Sequence, residues 1–111
     1  MVSLTLPEGP GESPAPRSLP SPKSQAALLW RLQAERGDMV AQHNFGCCLA
    51  DVGDYEEAKR FFFMAARQGY GKSLFNLAAY YEDGRLPVDL DEAERLFELG
   101  AAQCLLLLTP V

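Results

Sequence analysis

Apolar residues recur at three- and four-residue spacing along most of the chain. This spacing puts the apolar side chains on one face of an amphipathic helix, whereas a strand would alternate apolar and polar positions. The sequence therefore predicts an all-α chain. Three stripes show the spacing most clearly: Tyr55, Ala58, Phe61, Phe62, Ala65 and Ala66; then Leu74, Leu77, Ala78 and Tyr81; then Leu90, Ala93, Leu96, Phe97 and Ala101.

Glycine and acidic residues mark where these helices begin and end. Asp54 and Asp89 each precede a periodic segment and are each followed three residues later by glutamate, the pattern of a capping box. Glycines lie between the segments, where helices commonly end in a left-handed residue. The sequence predicts five helices over residues 22–36, 38–51, 54–68, 71–83 and 89–103. The glycines are Gly37, Gly53, Gly69 and Gly84.

The chain also matches itself. A shift of 32 residues brings Ala26 onto Ala58, Gly37 onto Gly69 and Asn44 onto Asn76, and beyond Gly84 the shift becomes 35. A period in the low thirties with two helices per unit is typical of a solenoid built from helical hairpins. In such an array small residues let helices approach closely, and large residues such as Phe45, Phe62 and Leu77, with Trp30 and Phe97, fill the space between layers.

The repeated units resemble Sel-one-like repeats, a branch of the tetratricopeptide superfamily. The residues that carry the resemblance are 41–46, 53–58, 65–69, 76–84 and 89–93. The resemblance implies a short right-handed α-solenoid over residues 23–103, made of a half repeat followed by two repeats. Two departures stand out: the loop 84–88 lacks the second glycine usual in the family, and Cys104 occupies a position where the family has glycine.

The two ends of the chain differ from the repeats. Residues 1–22 hold six of the eight prolines and no aromatic residue, so this stretch offers too little apolar surface to offset the entropy of ordering it. We interpret it as a disordered proline-rich leader. Residues 104–111 include four consecutive leucines and form an apolar C-terminal tail.

Composition excludes several classes of function. A formal net charge of -5 argues against nucleic-acid binding, which needs a basic surface. The longest run of large aliphatic residues is too short for a membrane span. One histidine and three cysteines exclude a two-histidine metal site and a disulfide framework, so we predict neither metal nor cofactor. Free cysteines without a signal peptide favour the cytoplasm, with a mitochondrial or other location left open.

By the resemblance, the first helix of each hairpin would line a concave groove that receives a peptide or a partner helix. Lys72 and Asn76 lie one turn apart, and in some tetratricopeptide domains a lysine and an asparagine at that spacing hold a peptide carboxylate. The resemblance favours a structural role for Asn76 over this one, because asparagine is frequent at this position in Sel-one-like repeats. The residues predicted on or near the groove are His43, Asn44, Cys47, Lys72, Phe75, Asn76 and Ala79.

Three functions follow from these features. The first is a non-enzymatic adaptor or scaffold that binds a protein or peptide in the groove. The second is a truncated regulatory isoform that pairs through the incomplete end of its solenoid, for example as a homodimer through residues 104–111. The third is a thiol-dependent enzyme using Cys47 with His43 one turn away. The sequence shows no third group to orient that pair, and Cys48 fits the core instead.

Overall fold

In a computed structural model of the chain, residues 19–108 are described, with side chains described as far as residue 105. This part is all-helical and contains no strand, as the periodicity predicts. The predicted disordered leader and apolar tail lie largely in residues 1–18 and 106–111, outside the described side chains. The helices are α1 (Gln25–Glu35), α2 (Met39–Asp51), α3 (Tyr55–Arg67), α4 (Gly71–Asp83) and α5 (Leu90–Leu108).

Side-chain caps and glycine turns set the helix boundaries. The Asp54 carboxylate accepts a hydrogen bond from the Glu57 backbone N–H at 3.3 Å, and Asp89 does the same for Glu92 at 3.0 Å. Only half of each expected capping box forms, because Glu57 and Glu92 pair with arginines one turn further on. All four inter-helix glycines have φ between +88° and +103°, a left-handed conformation that side chains with a Cβ avoid.

The last helix is longer than the sequence predicts. We expect it to end near residue 103, yet α5 continues to Leu108. At the corresponding place in the preceding hairpin, Gly69 adopts φ +96° and ends the helical run, whereas Cys104 stands at that position here. Cysteine has no such preference and leucine is a strong helix former, so the helix carries on through residues 104–108.

The core forms where consecutive helices pack, most extensively between α2 and α3 and between α4 and α5. Phe62 is fully buried and faces Gly46, where a Cβ would come within 2.8 Å of the phenyl ring. The predicted division between small and large core residues is therefore confirmed at this contact. The predicted small positions Gly46, Ala58, Ala66, Ala78 and Ala93 are all buried, and so are the large residues Phe45, Phe62 and Leu77.

Helix α1 is less buried than its match to α3 suggests. Leu29 corresponds to the buried Phe61 in the repeat, but 56% of its surface is exposed. The reason is that α1 packs mainly against α2, so only a narrow side of the helix, with Ala27 and Ala34, is covered. Trp30 contributes to the core only as a partly buried residue, and Phe97 on α5 does likewise.

Glutamine side chains form hydrogen bonds between helices near the ends of α1 and α3. The buried Gln42 donates to the Ala34 carbonyl at 3.0 Å and accepts from the Gln68 amide at 2.9 Å. Gln103 donates to the Ala66 carbonyl at 3.3 Å. Under the 32-residue shift Ala34 matches Ala66 and Gln42 matches Leu74. The Ala34 carbonyl therefore accepts from Gln42, whereas the Ala66 carbonyl accepts from Gln103. None of the helices described is long and apolar enough to cross a membrane.

Candidate functional site

Four polar side chains meet between α2 and α4, and we call them the α2–α4 cluster. His43 Nδ1 lies 2.8 Å from Ser73 Oγ, and His43 Nε2 lies 3.6 Å from Cys47 Sγ. The Asn76 amide nitrogen lies 3.8 Å from the same sulfur. His43 contacts Ser73, and about one turn further along both helices Cys47 contacts Asn76. Helices α2 and α4 therefore run in the same direction.

Helical spacing explains how the cluster assembles. His43 and Cys47 are four residues apart on α2, and Ser73 and Asn76 are three apart on α4, so each pair shares one helix face. Ser73 is fully buried, whereas His43, Cys47 and Asn76 are half-buried. The cluster therefore extends from the interior between the helices toward solvent.

Two tautomers of His43 satisfy the hydrogen bonds of the cluster. The Asn76 amide donates to Cys47 Sγ in both. In one tautomer the Ser73 hydroxyl donates to Nδ1 and Nε2–H donates to the sulfur, and in the other the Cys47 thiol donates to Nε2. An imidazole that accepts at Nε2 carries its proton on Nδ1, which then donates to Ser73 Oγ. Every contact is satisfied with a neutral thiol and a neutral imidazole.

Burial stabilises those neutral forms. It lowers the pKa of His43, and the nearby Lys72 ammonium lowers it further. Burial also raises the pKa of Cys47, against the smaller opposing effect of the hydrogen bond from Asn76. A nucleophilic cysteine needs the opposite arrangement, a thiolate beside an imidazolium. Ser73 supplies the third group that the sequence does not reveal, but the pKa directions disfavour thiol catalysis.

Aromatic rings fix the position of the His43 side chain. Its ring centroid lies 5.3 Å from that of Phe62 and 5.0 Å from that of Tyr70. Phe62 also lies 5.9 Å from Tyr80, which in turn meets Tyr55 at 5.3 Å. Rotation of the imidazole is thus restricted by contact with two aromatic rings as well as by hydrogen bonds at both nitrogens.

The remaining predicted groove residues occupy three different settings. Lys72 is exposed at the start of α4 and makes no ion pair within the described part of the chain. Phe75 packs toward α5, with its ring centroid 6.3 Å from that of Phe97. Asn44 and Ala79 are half-buried on α2 and α4. The structure thus brings together His43, Cys47 and Asn76 from the seven candidates.

Sequence reasoning misses Ser73, Tyr70 and Tyr80. Ser73 lies 30 residues from His43 in the chain, and under the 32-residue shift it matches Ala41, so the pattern indicates only a small core residue. The two tyrosines carry no motif of their own. Their part in the site depends on which rings surround His43, and no spacing rule predicts that.

Two cavities flank the cluster, one at each end of the α2 and α4 pair. The cavity at the start of the helices has a volume of about 370 Å³ and a mainly apolar lining that includes Met39, Tyr70 and Lys72. The cavity at their other end measures about 340 Å³, and its lining includes Cys47 and Arg85. The Arg85 guanidinium lies 5.3 Å from the centroid of the Tyr80 ring.

Within the described residues, no group of three or more histidine, cysteine, aspartate or glutamate side chains could hold a metal ion. Comparisons with protein-family models, with curated proteins and with solved structures find no match. The site is therefore interpreted from its own geometry.

Proposed function

We propose that the chain is a non-enzymatic interaction module of Sel-one-like, tetratricopeptide-like repeats, which holds a peptide or a partner helix against α2 and α4. The observation that carries this proposal is the α2–α4 cluster. It joins the first helices of two successive hairpins and leaves His43, Cys47 and Asn76 half-buried at a surface with a cavity at each end.

Features at matching positions support the repeat interpretation. Gly37 and Gly69 are 32 residues apart and both end a helix with a left-handed φ. Asp54 and Asp89 are 35 residues apart and both cap the helix that follows. Gly46 and Ala78, again 32 apart, are both buried small residues. Each pair has the same local role, as repeats of one hairpin should.

The chemistry of the surface favours a ligand with an acidic group. Lys72 offers an ammonium that forms no ion pair with any described side chain, next to the mainly apolar cavity that it lines with Met39 and Tyr70. Asn76 is a weaker candidate for the carboxylate than the sequence suggests, because its amide already donates to Cys47. We therefore assign the anion-binding role to Lys72 and packing of the ligand to the cavity.

Display selection from a library of acidic-ended octapeptides, followed by fluorescence anisotropy with the selected peptide, tests this proposal. We expect Lys72→Ala to weaken binding about tenfold, the effect of losing one charge-assisted contact of about 1.5 kcal/mol. Lys59→Ala is the matched control, because it removes the same charge from α3, where Lys59 pairs with Glu56. Equal weakening by both variants, or no selected peptide, would refute the assignment.

Pairing of two copies through the end of the array is a second candidate. The observation that favours it is that α5 continues past Gln103, so residues 104–108 form a helical extension rather than a separate tail. Size-exclusion chromatography with light scattering decides between the states. A dimer that becomes a monomer on deletion of residues 104–111 would support pairing, and a monomer at all concentrations would exclude it.

A further inference from the structure

We propose that His43, Cys47 and Asn76 form a binding site for a zinc-class transition-metal ion between α2 and α4. This inference does not depend on peptide binding. It concerns a donor set that spacing rules for metal motifs do not capture, because one donor is an amide and the three side chains come from two helices.

The distances between donor atoms match the edges of a tetrahedral site. Zinc lies about 2.0–2.1 Å from a histidine nitrogen and about 2.3 Å from a cysteine sulfur, so tetrahedral ligands of these kinds are about 3.5 Å apart. His43 Nε2 and Cys47 Sγ are separated by 3.6 Å. The Asn76 amide group lies 3.8 Å from the same sulfur. Two edges of a tetrahedral site, both meeting at the Cys47 sulfur, are therefore present in the packed helices.

Ser73 prepares the histidine for this role. Metal-binding histidines generally donate their second ring N–H to a neighbouring group, which fixes the tautomer and the direction of the lone pair. His43 Nδ1 lies 2.8 Å from Ser73 Oγ and Nε2 lies on the side of Cys47, so the tautomer that donates from Nδ1 to Ser73 presents its Nε2 lone pair to Cys47. The Phe62 and Tyr70 rings restrict the imidazole further.

The donor types select the class of ion. Thiolate and imidazole together suit zinc and related late transition metals, whereas calcium and magnesium require oxygen ligands. A half-turn of the Asn76 amide presents Oδ1 to the ion in place of the nitrogen. The Cys47 thiol releases its proton to the buffer when it binds the metal. A fourth position remains for water or for a side chain of a bound partner, and the cavity that Cys47 lines provides a path from solvent.

Titration of the full-length, reduced chain with cobalt(II) tests the site, because cobalt replaces zinc and gives a thiolate-to-metal charge-transfer band. We expect a band that saturates at one equivalent and disappears on addition of zinc. Cys47→Ser and His43→Gln should abolish it, whereas Cys104→Ser, which removes another half-buried thiol, should leave it unchanged. No band, or a band that survives Cys47→Ser, would overturn the proposal.

Two further measurements separate binding from loss of structure. Ser73→Ala should weaken cobalt binding about tenfold, as expected for removal of a group that orients a ligand. Asn76→Asp replaces the amide with a charged ligand of the same shape and should strengthen binding. In the wild-type chain, zinc should slow alkylation of Cys47 but not of Cys104, a result that requires no variant. Weaker binding by Asn76→Asp, or no protection of Cys47, would count against the site.

Discussion

The packing of Phe62 is where the fold is most easily tested. The side chain of Phe62 on α3 is fully buried, and its ring contacts the rings of His43 on α2 and Tyr80 on α4 and lies against Gly46. Truncation to alanine leaves a cavity that three helices must close. Such core truncations of phenylalanine cost about 3–5 kcal/mol. Since small domains are stable by about 5–15 kcal/mol, Phe62→Ala should remove a large share of the free energy of unfolding.

Urea unfolding followed by far-ultraviolet circular dichroism measures this loss. We expect the midpoint to fall by at least about 1 M, given a urea dependence of about 1–3 kcal/mol per molar. Leu29→Ala is the matched control, because it truncates an apolar residue that is 56% exposed, and it should cost less than about 1 kcal/mol. A loss below about 1 kcal/mol for Phe62→Ala would refute this account of the core.

Gly46 tests the same contact from the other side. Alanine is favoured over glycine inside a helix by about 1 kcal/mol, yet a Cβ at Gly46 would lie 2.8 Å from the Phe62 ring. We expect Gly46→Ala to destabilise the wild-type chain and to stabilise the chain that already carries Phe62→Ala. Additive effects of the two substitutions would show that the two residues do not share this contact.

Three other predictions concern titration, thiol exposure and capping. Because burial lowers the pKa of His43, the unfolded chain binds a proton first as the pH falls through about 6.5. The free energy of unfolding should therefore fall from about pH 7.5 to 5.5, and His43→Gln should flatten this slope; an unchanged slope would contradict it. Burial raises the pKa of Cys48 to about 11, and the thiol is fully enclosed. Mass spectrometry of the folded chain should therefore show that iodoacetamide modifies Cys104 well before Cys48. Equal rates of modification would place Cys48 outside the core. Asp54→Ala should lower the free energy of unfolding in urea by about 1 kcal/mol, because the α3 cap is lost. The control Glu94→Ala, on the exposed surface of α5, should cause no measurable loss. Equal losses for the two variants would show that the cap does not stabilise α3.

Helix type and helix ends follow from local rules, which explains why the sequence predicts them. The periodicity around Phe61 and Phe62, the aspartate caps at Asp54 and Asp89, and the left-handed glycines each depend on neighbours within a few residues. The burial of Cys48 follows from its place on the apolar stripe of α2, and that prediction is confirmed. These features need no knowledge of which helix lies opposite.

The features that the sequence does not predict all depend on such a neighbour. Leu29 looks equivalent to Phe61 until the structure shows that no other described helix packs over its side of α1. Gly71 and Gly100 carry no motif, yet a Cβ at Gly71 would lie 2.9 Å from the Gly100 carbonyl oxygen, so both glycines let α4 and α5 meet closely. The partnership of His43 with Ser73 is likewise created by tertiary contact.

The proposal that the surface formed by α2 and α4 binds a peptide can be tested directly by nuclear magnetic resonance. The selected peptide would be titrated into the isotope-labelled full-length chain, and backbone and side-chain shifts would be followed. The single histidine provides an isolated imidazole signal at the centre of the site. We predict that the largest changes occur at Lys72, at Met39 and Tyr70 in the cavity beside it, and at His43, whose ring contacts Tyr70. Changes confined to α1, or to the outer faces of α3 and α5, would contradict the proposal.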